Sequence, residues 1–310
     1  MSISLVAVKK IRLFLFLSFI VGLSSSCGDK FQPKKEIRTD CVLGSEPIRK
    51  VLFIGWDGVR TDALIAAQTS CIDSLLIHSY YNWSTDRGEY TVSVPGWSTI
   101  LHGVWPAKHG LTDNTFSSNN YKTYADIFTL AKQVKPNLSV ATLSNWDNFL
   151  RITEMENYAQ RFDTDRDVKD DAIRLLNSCT PDIMVLHFDN PDAFGHDSGF
   201  SPTNQAYLDA ISVSDAYLSE IMMTIEQRES LYNEEWLVVI STDHGGEGTG
   251  HGNQYELPQT RYVWTILRKP GLNNPVQIPI VNSVDLLPTM LNWLNIPAQA
   301  SWNLDGTVLF

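Results

Sequence analysis

The chain has 310 residues, 43% of them hydrophobic and 19% charged, which excludes an intrinsically disordered protein and is enough for one large core. Its 24 Lys and Arg against 35 Asp and Glu give a net charge of −11. That balance argues against nucleic acid as a structural partner, because backbone phosphates require a basic surface. Small anionic substrates fit such a chain only if a metal supplies the positive charge.

The first residues read as an address. Lys9, Lys10 and Arg12 precede the apolar run Leu13 to Leu23, too short to span a bilayer, and Ser24-Ser-Ser-Cys27 follows. The small residues before Cys27 resemble a bacterial lipoprotein processing site. The expectation is an exported periplasmic or outer-membrane lipoprotein, in which residues 1–27 are a signal peptide ending at lipidated Cys27 and the membrane is a partner through that anchor. Residues 28–45, with Lys30, Pro33, Lys34 and Lys35, read as a tether, and 46–310 as the one folded domain. A plain secretory signal with an incidental cysteine is the alternative. Cys41, Cys71 and Cys179 leave room for one disulfide, whose pairing the spacing does not fix.

Lys50-Val-Leu-Phe-Ile-Gly-Trp56 is a short apolar run of strand type closed by Asp57-Gly58, and Thr61 to about Leu76 has helical spacing of its apolar positions. Asp57 falls at the carboxyl end of that strand, where open α/β sheets place ligands, although an Asp-Gly turn without chemistry reads the same residues. Next comes Glu89 to Asn114, containing Ser93-Val-Pro-Gly96 and Gly103-Val-Trp-Pro-Ala-Lys-His-Gly110. Ser98 to His102 fits a helical turn, so Ser93 stands just before a helix N-terminus, a place that favours a developing anion. A serine before proline is also ordinary turn chemistry.

Tyr121 to about Lys132 reads as a helix, Leu138 to Leu143 as a strand and Val168 to Asn177 as an amphipathic helix. Asp182 to Phe188 is a third strand, followed by Asp189-Asn-Pro-Asp-Ala-Phe-Gly-His196. One turn of helix puts Asp192 and His196 on the same face, as paired ligands or as a capping Asp beside a surface His. Asn204 to about Gln227 is the longest helical pattern. The run Trp236 to Ile240 leads into Ser241-Thr-Asp-His-Gly-Gly-Glu-Gly-Thr-Gly-His-Gly252, where Asp243, His244 and His251 sit among five glycines. Glycines let the backbone fold tightly enough to return His251 toward the other two. Arg261 to Leu267 reads as a strand and Val284 to Leu294 as a helix. Such alternation predicts a single α/β domain with a largely parallel central sheet and helices on both faces.

Asp57, Asp192 and Asp243 each follow a separate strand, and the exits of parallel strands lie along one edge. Seven oxygen and nitrogen donors become available there: Asp57, Ser93, Asp192, His196, Asp243, His244 and His251. Carboxylates with imidazoles and no cysteine suit zinc, manganese or iron, whereas magnesium and calcium sites rarely recruit three histidines.

At this point the pattern resembles the alkaline phosphatase superfamily, and within it the type I phosphodiesterase/nucleotide pyrophosphatase branch. The matching motifs run in order from Val51 to about His251: Asp57 after the first strand, Ser93 before x-Pro, the Gly103 to Gly110 run, Asn114, Pro191-Asp192 with His196, and Asp243-His244 with His251. The resemblance implies that 46–310 is an alkaline phosphatase-like catalytic domain holding two divalent ions, zinc above all. Asp192, His196 and His251 would hold one; Asp57, Asp243, His244 and the Ser93 oxygen would hold the other. It implies a phosphodiesterase or phosphatase acting on a small phosphate ester through a phosphoserine on Ser93, with Asn114 and the backbone N–H groups after Ser93 contacting the phosphate. Thr91 is a rival nucleophile. Members of this branch usually carry Thr followed by Phe-Pro-Asn, so Ser93-Val-Pro-Gly96 speaks against a nucleotide diester. The alternatives are a phosphonate hydrolase, a sulfatase, disfavoured because Trp97 stands where the formylglycine motif needs Arg, and a degenerate lipoprotein without activity.

Overall fold

Every side chain from Val51 to Trp56 is buried, with alternate ones entering opposite faces of a sheet, and this is why the segment is apolar without a break. The computed structural model describes residues 46–310, so the expected signal peptide, lipidated Cys27 and tether lie outside the described residues. Strands β1 (Ile48–Trp56), β2 (Ser79–Asp86), β3 (Val140–Ser144), β4 (Tyr158–Arg161), β5 (Ile183–Phe188), β6 (Glu234–Ser241), β7 (Tyr262–Arg268) and β8 (Val276–Gln277) form one sheet in the order β4-β3-β5-β1-β6-β7-β2-β8. Strands β4, β3, β5, β1 and β6 are mutually parallel. β7 runs antiparallel to both β6 and β2.

The helices are α1 (Thr61–Ala66), α2 (Ser70–Leu76), α3 (Ser93–His102), α4 (Pro106–His109), α5 (Ile127–Val134), α6 (Asp165–Asn177), α7 (Asn190–Ser198), α8 (Gln205–Tyr232), α9 (Pro258–Arg261) and α10 (Leu286–Trp293). Helices α3, α5 and α10 pack on the face that receives Val51, Phe53, Val185 and Val239. Helices α1, α2, α6 and α8 pack on the face that receives Leu52, Ile54, Leu186 and Val238. The α/β architecture with helices on both faces is the one expected. Among the described residues, no helix is long and apolar enough to cross a membrane.

Several boundaries differ from expectation for reasons local spacing does not carry. The helix expected over 61–76 is two helices, because both oxygens of Asp215, on α8, accept the first N–H groups of α2, from Cys71 and Ile72, each at 2.9 Å. A helix end capped by a distant carboxylate is a tertiary feature. The helix expected from Tyr121 begins at Ile127, since Asp126 caps it by accepting from Phe128 N at 2.8 Å. The helix expected from Val284 begins at Leu286, after a 3₁₀ turn with a capping box between Asn282 and Asp285. Strands β2, β4 and β8 were not legible, being short or mixed in polarity. Cys179 is disulfide-bonded and Cys71 is a free thiol.

The register of the central strands sets the site. Gly55 on β1 pairs with His187 on β5 and with Ser241 on β6, and Trp56 pairs with Phe188. These three parallel strands therefore end level with one another, and the residues that follow them share one edge.

Candidate active site

Asp57 leaves β1, Asp243 and His244 leave β6, and β5 leads into α7, which carries Asp192 and His196 one turn apart. Pro191 sits in the first turn of α7, where its missing N–H costs nothing. Ser93 is the first residue of α3 rather than the residue before it, with Val92 as the extended cap, and the helix runs to His102.

Each of the three histidines has its Nδ1 atom on a backbone carbonyl: His196 on Thr249 O at 2.9 Å, His244 on Gly245 O at 2.9 Å and His251 on Thr91 O at 2.7 Å. A carbonyl only accepts, so Nδ1 carries the hydrogen and the lone pair of each neutral ring is on Nε2. All three Nε2 atoms point into one cluster. That of His196 is 3.3 Å from Asp192 Oδ2 and 3.0 Å from Nε2 of His251, which is 3.7 Å from Asp192 Oδ1. That of His244 is 3.2 Å from Asp243 Oδ2, 3.3 Å from Ser93 Oγ and 3.5 Å from Asp57 Oδ1. The rings of His244 and His251 stack at 3.7 Å and join the two halves.

The carboxylates are as crowded as the imidazoles. Asp57 Oδ1, Asp192 Oδ1 and Asp243 Oδ2 are buried and have no hydrogen-bond partner. Burial and the charge of Asp57 hold Asp243 well above the usual carboxylate range, and the same two causes raise Asp192. Burial works the same way on Asp57, yet the hydrogen bond from His187 and the neighbouring His244 keep its carboxyl below that range. The hydrogen bond to Asp192 lifts His196 to about 9, so the protein itself draws positive charge to this spot. Buried oxygens without donors are costly unless a cation satisfies them. Donor atoms of Asp192, His196 and His251 lie within 4.8 Å of one another, as do those of Asp57, Asp192 and His244, and both sets fit a divalent ion.

Around the serine one expectation changes. Val94 N donates to Asn114 Oδ1 at 2.9 Å, Pro95 has no N–H, and Gly96 N donates to Val92 O at 3.0 Å. The backbone N–H groups after Ser93 are therefore spent inside the protein. Asn114 is thereby held with its amide oxygen on the helix start. The Thr91 hydroxyl donates to His251 O at 2.5 Å and accepts from Gln254 N at 3.2 Å.

Four residues to which the sequence assigns no role in the site support this arrangement. Trp97 Nε1 and His187 Nε2 both meet Asp57 Oδ2, at 3.0 and 2.9 Å. Buried Arg87 donates to Asp243 O at 2.6 Å and Glu89 O at 2.7 Å, tying the metal-type loop to the approach of Ser93. Phe200 packs where Gly195 and Gly246 have no side chains. The one available signal was a histidine inside the otherwise apolar run of β5.

A family model described as type I phosphodiesterase / nucleotide pyrophosphatase matches residues 51–264. The chain belongs to this family. Its place in the alkaline phosphatase superfamily is the one the motifs implied. Among curated proteins, it is similar to the 2,3-bisphosphoglycerate-independent phosphoglycerate mutase of Haloquadratum walsbyi, 29% identical over 140 residues, covering 44% of this chain and 26% of the relative. The corresponding mutase of Staphylococcus aureus is 28% identical over 134 residues, covering 42% of this chain and 24% of the relative. The chain thus spans about a quarter of the curated relatives it matches. In fold it is similar to murine ectonucleotide pyrophosphatase/phosphodiesterase 5, solved as an inactive variant in complex with AMP, with a TM-score of 0.67, 14% identity, and coverage of 81% of this chain and 96% of that one. A 2-O GAG sulfatase gives a TM-score of 0.66 at 15% identity, covering 86% and 73%.

Proposed function

We propose that this family member is a two-metal phosphoric ester hydrolase in which Ser93 is the nucleophile. The observation that carries the proposal is the convergence of three Nε2 lone pairs and three unpartnered carboxylate oxygens on one cluster, with His244 Nε2 3.3 Å from the Ser93 hydroxyl. Asp192, His196 and His251 would hold one divalent ion, and Asp57, Asp243, His244 and Ser93 the other. Such ions supply Lewis-acid charge that neutralises phosphoryl oxygens and makes a serine hydroxyl acidic.

The chain's own groups do the rest. Ser93 Oγ, fixed at the start of α3, attacks phosphorus as the bond to the leaving oxygen breaks, and water then replaces serine at phosphorus to free the phosphate. Asn114 Nδ2 donates to a phosphoryl oxygen, and the N-terminus of α3 favours the negative charge held there. The signal-like N-terminal sequence, Lys9 to Cys27, supports a place for this chemistry outside the cytoplasm.

The test is an assay of purified zinc-loaded protein on p-nitrophenyl phosphate, bis-p-nitrophenyl phosphate and p-nitrophenyl sulfate. Hydrolysis of a phosphate ester, with phosphate trapped on Ser93 after acid quench and absent from Ser93→Ala, is the expected result. Hydrolysis of none, turnover of the sulfate alone, or full activity in Ser93→Ala contradicts it.

A further inference from the structure

The two carboxylate oxygens of Asp57 have opposite surroundings. Oδ2 accepts from Trp97 Nε1 at 3.0 Å and from His187 Nε2 at 2.9 Å, whereas buried Oδ1 has no donor and lies 3.5 Å from His244 Nε2. Most buried side-chain donors find a backbone carbonyl. Here two aromatic N–H groups, from α3 and β5, are spent on one oxygen of one side chain.

The fold makes room for this convergence at some cost. The Trp97 indole lies against β1 at Gly55, where any Cβ would run into the ring. His187 pairs with Gly55 in the parallel register, which puts its ring on the same side of the sheet. The two rings meet edge to face at 5.4 Å, and Phe149 lies 4.4 Å from His187 on another side. Nδ1 of His187 is 3.1 Å from Ser144 Oγ on β3, so both ring nitrogens are engaged and the ring cannot turn freely. Asp57 is therefore gripped by one oxygen from a rigid, fully buried wall.

We propose that Trp97 and His187 are positioning residues that restrict Asp57 to single-oxygen coordination, keeping Oδ1 for the cation on the Ser93 side of the site. This rests on the two-metal reading above. A carboxylate with both oxygens free can chelate one ion or bridge two. With Oδ2 held by two charge-assisted hydrogen bonds, chelation would break both in a place no water reaches. The donors would thereby leave Asp57 one oxygen to offer a serine-side ion. Loss of such outer partners weakens metal binding by about 10- to 100-fold.

The experiment compares full-length wild type, Trp97→Phe, His187→Phe and His187→Gln. Zinc affinities of both sites are read by competition with a chromophoric chelator, and coordination by the visible spectrum of the cobalt-loaded proteins. Gln presents an amide N–H near the position of His Nε2, while Phe fills the ring space without a donor. Trp97→Phe and His187→Phe should weaken one of the two sites about 10- to 100-fold, leave the other within about threefold, and dim the cobalt band as coordination rises; His187→Gln should recover most of both. Wild-type affinity and spectrum in both Phe variants, equal weakening of both sites, or a Gln variant no better than Phe overturns the assignment. If His187→Phe does not fold, Trp97→Phe decides alone. A wild-type protein that takes up no zinc contradicts the two-metal reading itself.

Discussion

Nε2 of His196 and Nε2 of His251 face each other at 3.0 Å, although both rings have their Nδ1 hydrogens committed to backbone carbonyls. Two neutral rings so arranged would point lone pair at lone pair. The contact is stable only with a proton or a metal cation between or beside the two nitrogens, and Asp192 stands against both rings to balance that charge.

Metal should therefore stabilise the fold. At free zinc about 100 times the dissociation constant, linkage gives about 2.7 kcal/mol per site, or a rise in Tm of roughly 5–10 °C. Differential scanning fluorimetry with EDTA and then with excess zinc checks this. Equal melting temperatures would contradict the cation-poised cluster.

Ser93 and Thr91 should separate cleanly. Ser93→Ala should reduce kcat on an activated phosphate ester by about 10³-fold or more, because among the described residues the Ser93 hydroxyl is the one that meets Nε2 of His244. Thr91→Val removes the hydrogen bonds to the His251 carbonyl and from Gln254 N and should cost only about 10-fold. Steady-state kinetics on the two variants reads the difference, and the reverse order would make Thr91 the nucleophile.

The glycines of the metal-type loop should not be equivalent. A Cβ on Gly245 would strike the Gln259 carbonyl, and one on Gly195, on α7, would strike Phe200, whereas Gly250 faces open space. Gly245→Ala and Gly195→Ala should each cost about 1–3 kcal/mol and weaken zinc binding. Gly250→Ala should stay within about 0.5 kcal/mol of wild type. Urea unfolding of the three variants tests the ranking.

Asp126 should make stability fall as pH rises. Burial first, and the charge of Glu154 further, hold its carboxyl up to about 6 despite its capping hydrogen bonds. Between its unfolded pKa near 4 and that value the folded state binds more protons, so stability present at low pH is lost as pH rises through about 6. Asp126→Asn keeps an acceptor for the helix start and should gain on wild type by up to ~3 kcal/mol between pH 4.5 and 7.5. Paired urea titrations at the two pH values measure this. A difference that does not change with pH would refute it.

Much of the candidate site was legible because its potential ligands follow strong local signals. Asp57 and Asp243 come at the ends of apolar runs, and Asp192 and His196 share a helical spacing that the structure retains in α7. Less legible was anything whose partner lies far along the chain. Asp215 splits a helix across 144 positions, and the N–H of Val94 is taken by Asn114 instead of being offered to an anion. The five glycines that were expected together to return His251 toward Asp243 and His244 have distinct roles: steric at Gly245 and Gly246, conformational at Gly248 with φ of +62°, and neither at Gly250 or Gly252.

What the sequence determined by itself is the donor set and the side of the sheet on which it gathers, because donor type is a property of each residue and parallel strands present their ends together. Only the tertiary structure decided how those donors are aimed. It placed a carbonyl behind each histidine, left one oxygen free on each of three aspartates, and brought Trp97 and His187 to the remaining oxygen of Asp57. Aim depends on strand register and on contacts between distant segments, and neither is written in the local pattern of apolar and polar residues.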